Sequence, residues 1–375
     1  MEKVLIVGMH ATTGGIGTFI FNCVSSTYHQ IRYDFLFQGK DQTMFKEEEF
    51  KRFGCSIYKY DYISLKHPFN MINEERKIAK FLVNNKYDCV WINESMPIEN
   101  TVLDAAYKAK VKRIIYHSHN SANMITGWRR LPYYLLFRIA RIRINKKATD
   151  FWACSNLAAK WMFSKKNISS DKYLFVPNAI DLSKFKFDEN SRQEIRQKLG
   201  INNNTVVIGN IGRLTFQKDP IRGLEIFNEY HKSNPNSVYI IAGDGDLKSK
   251  LKEKVAKMRL NNYVKVLGDV NYVSALLNAF DLVLFPTRFE GLSISLLEEQ
   301  GNGLPIVCSS NVSEEVNISN NVFFVNRKMS NKKWAKVLGN CESLINIQSR
   351  TKRINTNVFC LDNLRSILLK EFGAL

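Results

Sequence analysis

Short runs of β-branched and aromatic residues alternate along the chain with longer amphipathic stretches, the pattern of strands laid parallel and crossed over by helices. Strand-like runs fall at 4–7, 33–37, 89–92, 113–116, 150–153 and 173–176, and a second series falls at 206–209, 238–242, 264–267, 282–285, 306–308 and 322–325. The chain has 375 residues. Single cores stop growing at roughly 250 residues, so the two series imply two α/β domains. The join is expected between Pro177-Asn178 and about Asn204, because that stretch is polar, highly charged and ends in Asn202-Asn203-Asn204 ahead of a new strand. A helix is expected within it at 192–199. Beyond a polar run at 348–356, Leu361, Leu364, Ile367, Leu368 and Phe372 repeat at three-to-four spacing, which predicts a last amphipathic helix.

A hydrophobic fraction of 45% is enough to fill cores, which excludes a disordered, collagenous or coiled-coil chain. No stretch approaches the ~18 apolar residues of a spanning helix, and the apolar start at 4–7 stops at Gly8, too short for a signal peptide. A cytoplasmic protein is expected. The seven cysteines are scattered, odd in number and without a C-x-x-C pair, so they read as reduced, mostly buried thiols. Lys and Arg number 54 against 35 Asp and Glu, a net charge of +19 that calls for an anionic partner. Nucleic acid is disfavoured, since no RRM, KH or zinc-finger pattern occurs and the aromatics lie in patterns that bury them. Residues 127–147 hold seven Lys or Arg and no acid, interleaved with aromatic and aliphatic residues. Two readings stand: an interfacial helix on anionic lipid, docking the protein peripherally on the inner membrane face, or an ordinary amphipathic helix with its apolar side in the core.

Five places are candidates to carry chemistry. Gly14-Gly15-Ile16-Gly17 lies where the first strand feeds a helix, and there glycines admit a ligand's phosphate to the backbone and helix N–H groups face it. The dinucleotide fingerprint is absent, and a tight turn without a ligand is the competing reading. His117-Ser118-His119-Asn120 closes a strand at the end where open α/β sheets bind ligands. The two histidines are expected on opposite sides, with His119, farther out, facing the ligand; a hydrogen-bonded structural histidine is the alternative. Arg213 and Lys218 stand five apart after the first strand of the second series and suit a diphosphate, unless they are only a solvated basic loop. Gly243-Asp244-Gly245-Asp246 has two carboxylates after a strand and reads as a turn with no metal.

The sharpest feature runs from Phe285 to Glu298. A buried strand gives way to a turn and a helix expected to start near Gly291, with Glu290 at its mouth and Glu298 two turns on. Carboxylates accept from vicinal hydroxyls through two oxygens, and the N–H groups around Leu292, Ser293 and Ile294 suit an anion between them. Two isolated glutamates on a solvated helix face are the bland reading.

Taken together, Glu290-Gly291-Leu292-Ser293-Ile294 with Glu298, Gly303-Leu304-Pro305, and Asn178 with Asp181 resemble the retaining, nucleotide-sugar-dependent glycosyltransferases of family four. His117-Ser118-His119-Asn120 and Ala153-Cys154-Ser155 point to the branch that assembles exopolysaccharide and capsule. The resemblance implies the GT-B architecture, two Rossmann-like α/β domains with parallel sheets facing across a cleft. It assigns 1–178 to acceptor binding, with a helix at about 357–375 packing back onto it, and 179–356 to the donor. By the same resemblance Gly15 and Gly17 line the donor phosphates, Arg213 and Lys218 hold the diphosphate, and Gly291 to Ile294 contribute backbone. Glu290 contacts the transferred sugar, Glu298 the ribose, and His119 the donor sugar. The implied reaction moves a hexose-type sugar, with retention, from a UDP-sugar to a saccharide or polyprenyl-linked saccharide acceptor, without a cofactor or metal. Hydrolysis or epimerisation of a nucleotide sugar is the alternative on the same fold. Ala179 and Glu299 depart from the family pattern, and both are read as remote from the proposed charges.

Overall fold

A computed structural model describes the chain except residues 1, 13, 61–67, 96–99, 123–129, 346–349, 351–357 and 374–375. It divides into two compact units, Met1–Ala179 with Asn357–Leu375, and Ile180–Thr356. Each carries one all-parallel sheet, the α/β class expected from the alternation.

In the N-terminal unit the strands are β1 (Lys3–Val7), β2 (Arg32–Gln38), β3 (Ser56–Tyr60), β4 (Cys89–Glu94), β5 (Arg113–Ser118), β6 (Asp150–Ala153) and β7 (Tyr173–Phe175), in the order β3-β2-β1-β4-β5-β6-β7. β3 was not foreseen: it is an edge strand, half-exposed along most of its length, so the buried apolar run that marks the others is missing. The inner strands are buried on both faces and read as near-continuous apolar runs. Helix Leu361–Glu371 belongs to this unit. It buries Leu364, Leu368 and Leu369, and the Phe372 ring just beyond it stands 6.0 Å from Trp91 and 5.8 Å from Trp152. Arg113 reaches from β5 to the Glu371 carboxylate at 2.6 Å and to Asp150 at 3.0 Å.

The C-terminal unit has β8 (Val206–Ile211), β9 (Ser237–Ala242), β10 (Val264–Gly268), β11 (Leu282–Phe285), β12 (Ile306–Ser309) and β13 (Val322–Val325), ordered β10-β9-β8-β11-β12-β13. In both sheets the order reverses at one point, between β1 and β4 and between β8 and β11. Crevices outside the carboxyl ends of strands at such a reversal are where these sheets bind ligands.

The helix expected at 192–199 runs Glu189–Lys198, started by Asp188, whose side chain accepts from Ser191 N–H at 2.8 Å. Its arginines face inward. Arg192 and Arg196 each reach one oxygen of Asp281 at 2.5 Å, and the Val207 N–H donates to that carboxylate at 2.8 Å. Further guanidinium hydrogens go to the carbonyls of Asn278, Ala279 and Phe280. Asp281 thus joins the starts of β8 and β11 to this helix. Removing one partner of a buried ion cluster leaves uncompensated charge, so Asp281→Ala is expected to cost roughly 3–5 kcal/mol in urea unfolding. A loss within the ±0.5 kcal/mol scatter of surface substitutions would deny the cluster that role.

Candidate active site

In the C-terminal unit the loops after β8 and β11 are latched to each other. The Gln217 carbonyl accepts from Thr287 Oγ1 and from the Arg288 N–H, both at 2.8 Å, while the Gln217 amide donates to the Phe289 carbonyl at 3.2 Å. This latch brings Lys218 to Glu290, Nζ to Oε2, at 2.6 Å, with both side chains 14% exposed. The Lys218 ammonium also lies 4.5 Å from the centroid of the Phe285 ring. The two predicted residues meet, but as an ion pair with each other. Arg213 is exposed and its guanidinium has no partner among the described residues, so it is the cation of the three still free.

The helix after this loop begins at Ile294, three residues later than expected, so Glu290 and Gly291 lie in the turn ahead of it. Ser293 caps it without a side-chain hydrogen bond; its hydroxyl faces that of Ser295 at 3.0 Å. The N–H groups of Ile294, Ser295 and Leu296 therefore have no helical carbonyl to bond, and an anion there would meet the positive end of the helix. The side chains of Leu292 and Ile294 are buried, leaving backbone as what this segment offers a ligand.

Glu298 lies in surroundings that push its carboxyl up to about 7, and burial alone is the cause. Its neighbour corrects an expectation. Glu299 is fully buried with no hydrogen bond to either carboxylate oxygen among the described residues, and its pKa is raised well above the usual range by burial and then by the Glu298 charge, with Lys218 opposing. It is in electrical contact with the proposed site. Ala179, the other departure, is buried and its carbonyl accepts from Asn22 at 2.8 Å. Gly243 to Asp246 form a turn: a Cβ on Gly243, at φ +137°, would lie 2.1 Å from the Gly212 carbonyl. Asp244 there is engaged by Lys248 and by the Gly245 N–H.

In the N-terminal unit Gly14 caps helix Gly15–Thr27. A Cβ on Gly15 would meet nothing, whereas one on Gly17 would press on the Phe45 ring at 3.0 Å, so Gly17 makes room for that ring. Gly8, at φ +102°, is demanded by the Asn93 carbonyl, 1.8 Å from where a Cβ would stand. The histidines overturn the expectation that they face opposite ways. Residues two apart in a strand share a face, and the ring centroids of His117 and His119 are 4.1 Å apart. His117 is fully buried among Phe19, Trp91 and Trp152. His119 sits at the open end of β5, where Nε2 meets Asn93 Oδ1 at 2.9 Å. The Asn93 amide nitrogen is turned to the carbonyls of Val7 and Trp91, which fixes Oδ1 as the group facing the ring. His119 then donates from Nε2. Burial lowers its pKa to about 3, so at neutral pH the ring is uncharged and Nδ1 keeps a lone pair for a hydroxyl. Asn93 was not foreseen in this role; its position at the end of β4 beside β5 is visible only in the register.

The 127–147 segment is described from Arg130, within helix Arg130–Lys147, and its side chains from Tyr133; 127–129 lie outside the described residues. Phe137, Ala140 and Ile144 are buried, while Tyr134, Leu135, Leu136, Ile139 and Ile142 are exposed, Leu135 by 61% and Ile142 by 55%. The helix has apolar residues on both sides. Arg143 and Lys147 pair with buried Asp104, and Arg141 donates to the carbonyls of Met162 and Phe163, leaving Arg138 and Lys146 outward.

The raised carboxyls carry a stability prediction. Glu298 has a folded pKa of about 7 against 4.5, so the folded form holds the proton longer and stability falls as pH rises between those values, by at most about 1.4 kcal/mol per pH unit. Glu299 acts with the same sign. Glu298→Gln should therefore raise the melting temperature more at about pH 8 than at about pH 5; a pH-independent difference would refute the assignment.

Two family profiles match the chain, "Glycosyltransferase Family 4" over residues 13–184 and "Glycosyl transferases group 1" over 191–353. The Bacillus subtilis protein EpsF, described as a glycosyltransferase, is 26% identical over 84% of this chain and 81% of its own length. An Escherichia coli enzyme named UDP-Gal:alpha-D-GlcNAc-diphosphoundecaprenol alpha-1,3-galactosyltransferase is 29% identical over 62% of this chain and 60% of its own. Among solved structures, Anabaena HepE in complex with UDP-glucose superposes with a TM-score of 0.77 at 18% identity, covering 100% of both chains. The two profiles between them take in the C-terminal sheet, the latched loops and every strand of the N-terminal sheet but β1, and the chain belongs to family four of the GT-B glycosyltransferases, enzymes that transfer sugar from a nucleotide donor.

Proposed function

We propose that this protein transfers a hexose-type sugar, with retention, from a UDP-sugar to a growing polysaccharide on a lipid carrier. The observation that carries the reading is the meeting of Lys218 with Glu290 where the sheet order reverses, ahead of a helix start whose N–H groups are unspent. UDP as the donor nucleotide and a diphosphoundecaprenol-linked acceptor draw support from the UDP-glucose complex of HepE and from the E. coli enzyme.

In this reading the donor diphosphate takes Arg213 and the Lys218 ammonium, and the sugar hydroxyls take over the carboxylate oxygens of Glu290. Glu298 accepts from the ribose hydroxyls, and His119 accepts a sugar hydroxyl at Nδ1. The acceptor oxygen attacks the anomeric carbon on the face the leaving diphosphate departs from, forming the new glycosidic bond as the old sugar–phosphate bond breaks. The acceptor proton passes to the departing phosphate oxygen. Fixed cations and helix N–H groups stabilise the charge that develops there. His119, neutral at pH 7, orients rather than protonates.

The exposed apolar face of helix Arg130–Lys147, with outward Arg138 and Lys146, suits an anionic lipid surface, where the lipid-linked acceptor resides. Each outward cation adds roughly 1 kcal/mol near such a surface.

Isothermal titration with UDP tests the donor site: Lys218→Ala and Arg213→Ala should each weaken binding roughly tenfold or more, the scale of a lost charge-assisted contact. Unchanged affinity in both would remove these residues from the site. Release of UDP only when an acceptor is supplied separates transfer from hydrolysis, and the anomeric proton coupling of the product reports retention. For the membrane face, Leu135→Glu with Ile139→Glu should abolish co-sedimentation with vesicles containing anionic lipid; equal binding to neutral vesicles by the unaltered protein would contradict the proposal.

A further inference from the structure

At the start of helix Pro220–Ser233 three arginines from separate parts of the C-terminal unit converge: Arg222 from the helix, Arg288 from the loop after β11 and Arg327 from beyond β13. They line a cavity of about 370 Å³ together with Asp219, Ile221, Glu225 and Asn331. The negative charge present does not balance them. Arg288 and Arg327 share a single oxygen of Asp219, Arg288 at 2.9 Å. Glu225 is engaged by Lys254 and Asn331. Among the described residues Arg222 finds the Met329 carbonyl at 2.8 Å and the face of Trp334 and no carboxylate in ion-pair contact.

Each of the three guanidinium groups keeps a buried Nε–H with no hydrogen-bond acceptor among the described residues. Buried donors on charged groups are costly when left unpaired, and burial lowers the pKa of Arg222 and Arg327. The helix contributes too. Pro220 has no N–H, but those of Ile221 and Arg222 in the first turn have no helical acceptor, and the positive end of a fourteen-residue helix points the same way. Planar cations with spare donors beside a helix N-terminus are the chemistry that recognises a tetrahedral dianion.

We propose that Arg222, Arg288 and Arg327 bind a phosphate dianion, either free phosphate or the terminal group of a phosphorylated sugar, at a site distinct from the Lys218–Glu290 pair. The volume accommodates a phosphorylated monosaccharide. The site is mechanically tied to the donor loops, because Asp219 follows Lys218 and Arg288 precedes Glu290 by two residues on the latched loop. Occupancy would therefore draw on Arg288, whose pairing with Asp219 joins those two loops.

The test titrates the full chain with inorganic phosphate, glucose 1-phosphate and UDP. Phosphate should bind, and Arg222→Met and Arg327→Met should each weaken it roughly tenfold or more while leaving UDP affinity intact. Lys218→Ala should do the reverse. Tighter binding of glucose 1-phosphate than of inorganic phosphate would assign the site to a phosphorylated sugar, and equal binding to free phosphate. Arg222→Met keeps the apolar stem over Trp334 and breaks no ion pair to Asp219, so it serves if Arg327→Met unfolds. No phosphate binding, binding indifferent to both arginine variants, or binding displaced by UDP and lost in Lys218→Ala would overturn the proposal. Failure of UDP binding alone would count against the donor site and leave this one standing.

Discussion

Strands β8 and β11 lie side by side and parallel, Leu282 opposite Ile208 and Val283 opposite Gly209, although most of the C-terminal unit's first half separates them in sequence. Asp281 secures this pairing from one end through Arg192, Arg196 and the Val207 N–H. A parallel pair cannot be closed by a tight turn, so whatever fixes these two strands also fixes the loops that leave their far ends. Those loops carry Arg213, Lys218 and Glu290, and the Gln217 latch completes what the pairing begins.

The electrostatics of the site follow from where water is excluded. Lys218 and Glu290 are close enough to neutralise each other, and they sit beside a helix whose two acidic residues, Glu298 and Glu299, are pushed toward the neutral form by burial. Close packing of like charges in a low-dielectric setting raises carboxyl pKa values. In the N-terminal unit the same exclusion keeps His117 and His119 uncharged, and Asn93 then decides which nitrogen of His119 carries the proton. Both units thus present neutral or internally paired groups, with Arg213 as the uncompensated cation among the predicted site residues.

The basic surplus of the chain has several destinations. Arg192, Arg196 and Arg350 are buried and bonded to carbonyls or Asp281, where the guanidinium fork satisfies several acceptors at once. Arg141, Arg143 and Lys147 are bonded to neighbouring segments, while the outward side of the same helix sets Arg138 and Lys146 among exposed apolar residues. Net charge alone could not foresee this division, because a count of cations carries no information on which of them are spent on structure.

Periodicity made most strands legible, since a buried parallel strand is a short apolar run between helices; edge strand β3 escaped because one neighbour and partial exposure relax that demand. The Glu290 to Glu298 segment, the last helix and the turn at Gly243 were equally readable, each being decided by neighbours a few residues away. Helix boundaries were not, and the start at Ile294 instead of near Gly291 moved Glu290 off the helix. By itself the amino-acid order determined the fold class and the residue types at the site, because local spacing sets which faces can be buried. Only the tertiary structure decided that Lys218 meets Glu290, that His117 and His119 share a side with Asn93 as arbiter, that Glu299 is drawn inward, and that Arg288 and Arg327 come from remote segments to share Asp219 beside Arg222. Those outcomes depend on strand register and packing between remote segments, which no pattern of neighbouring residues encodes.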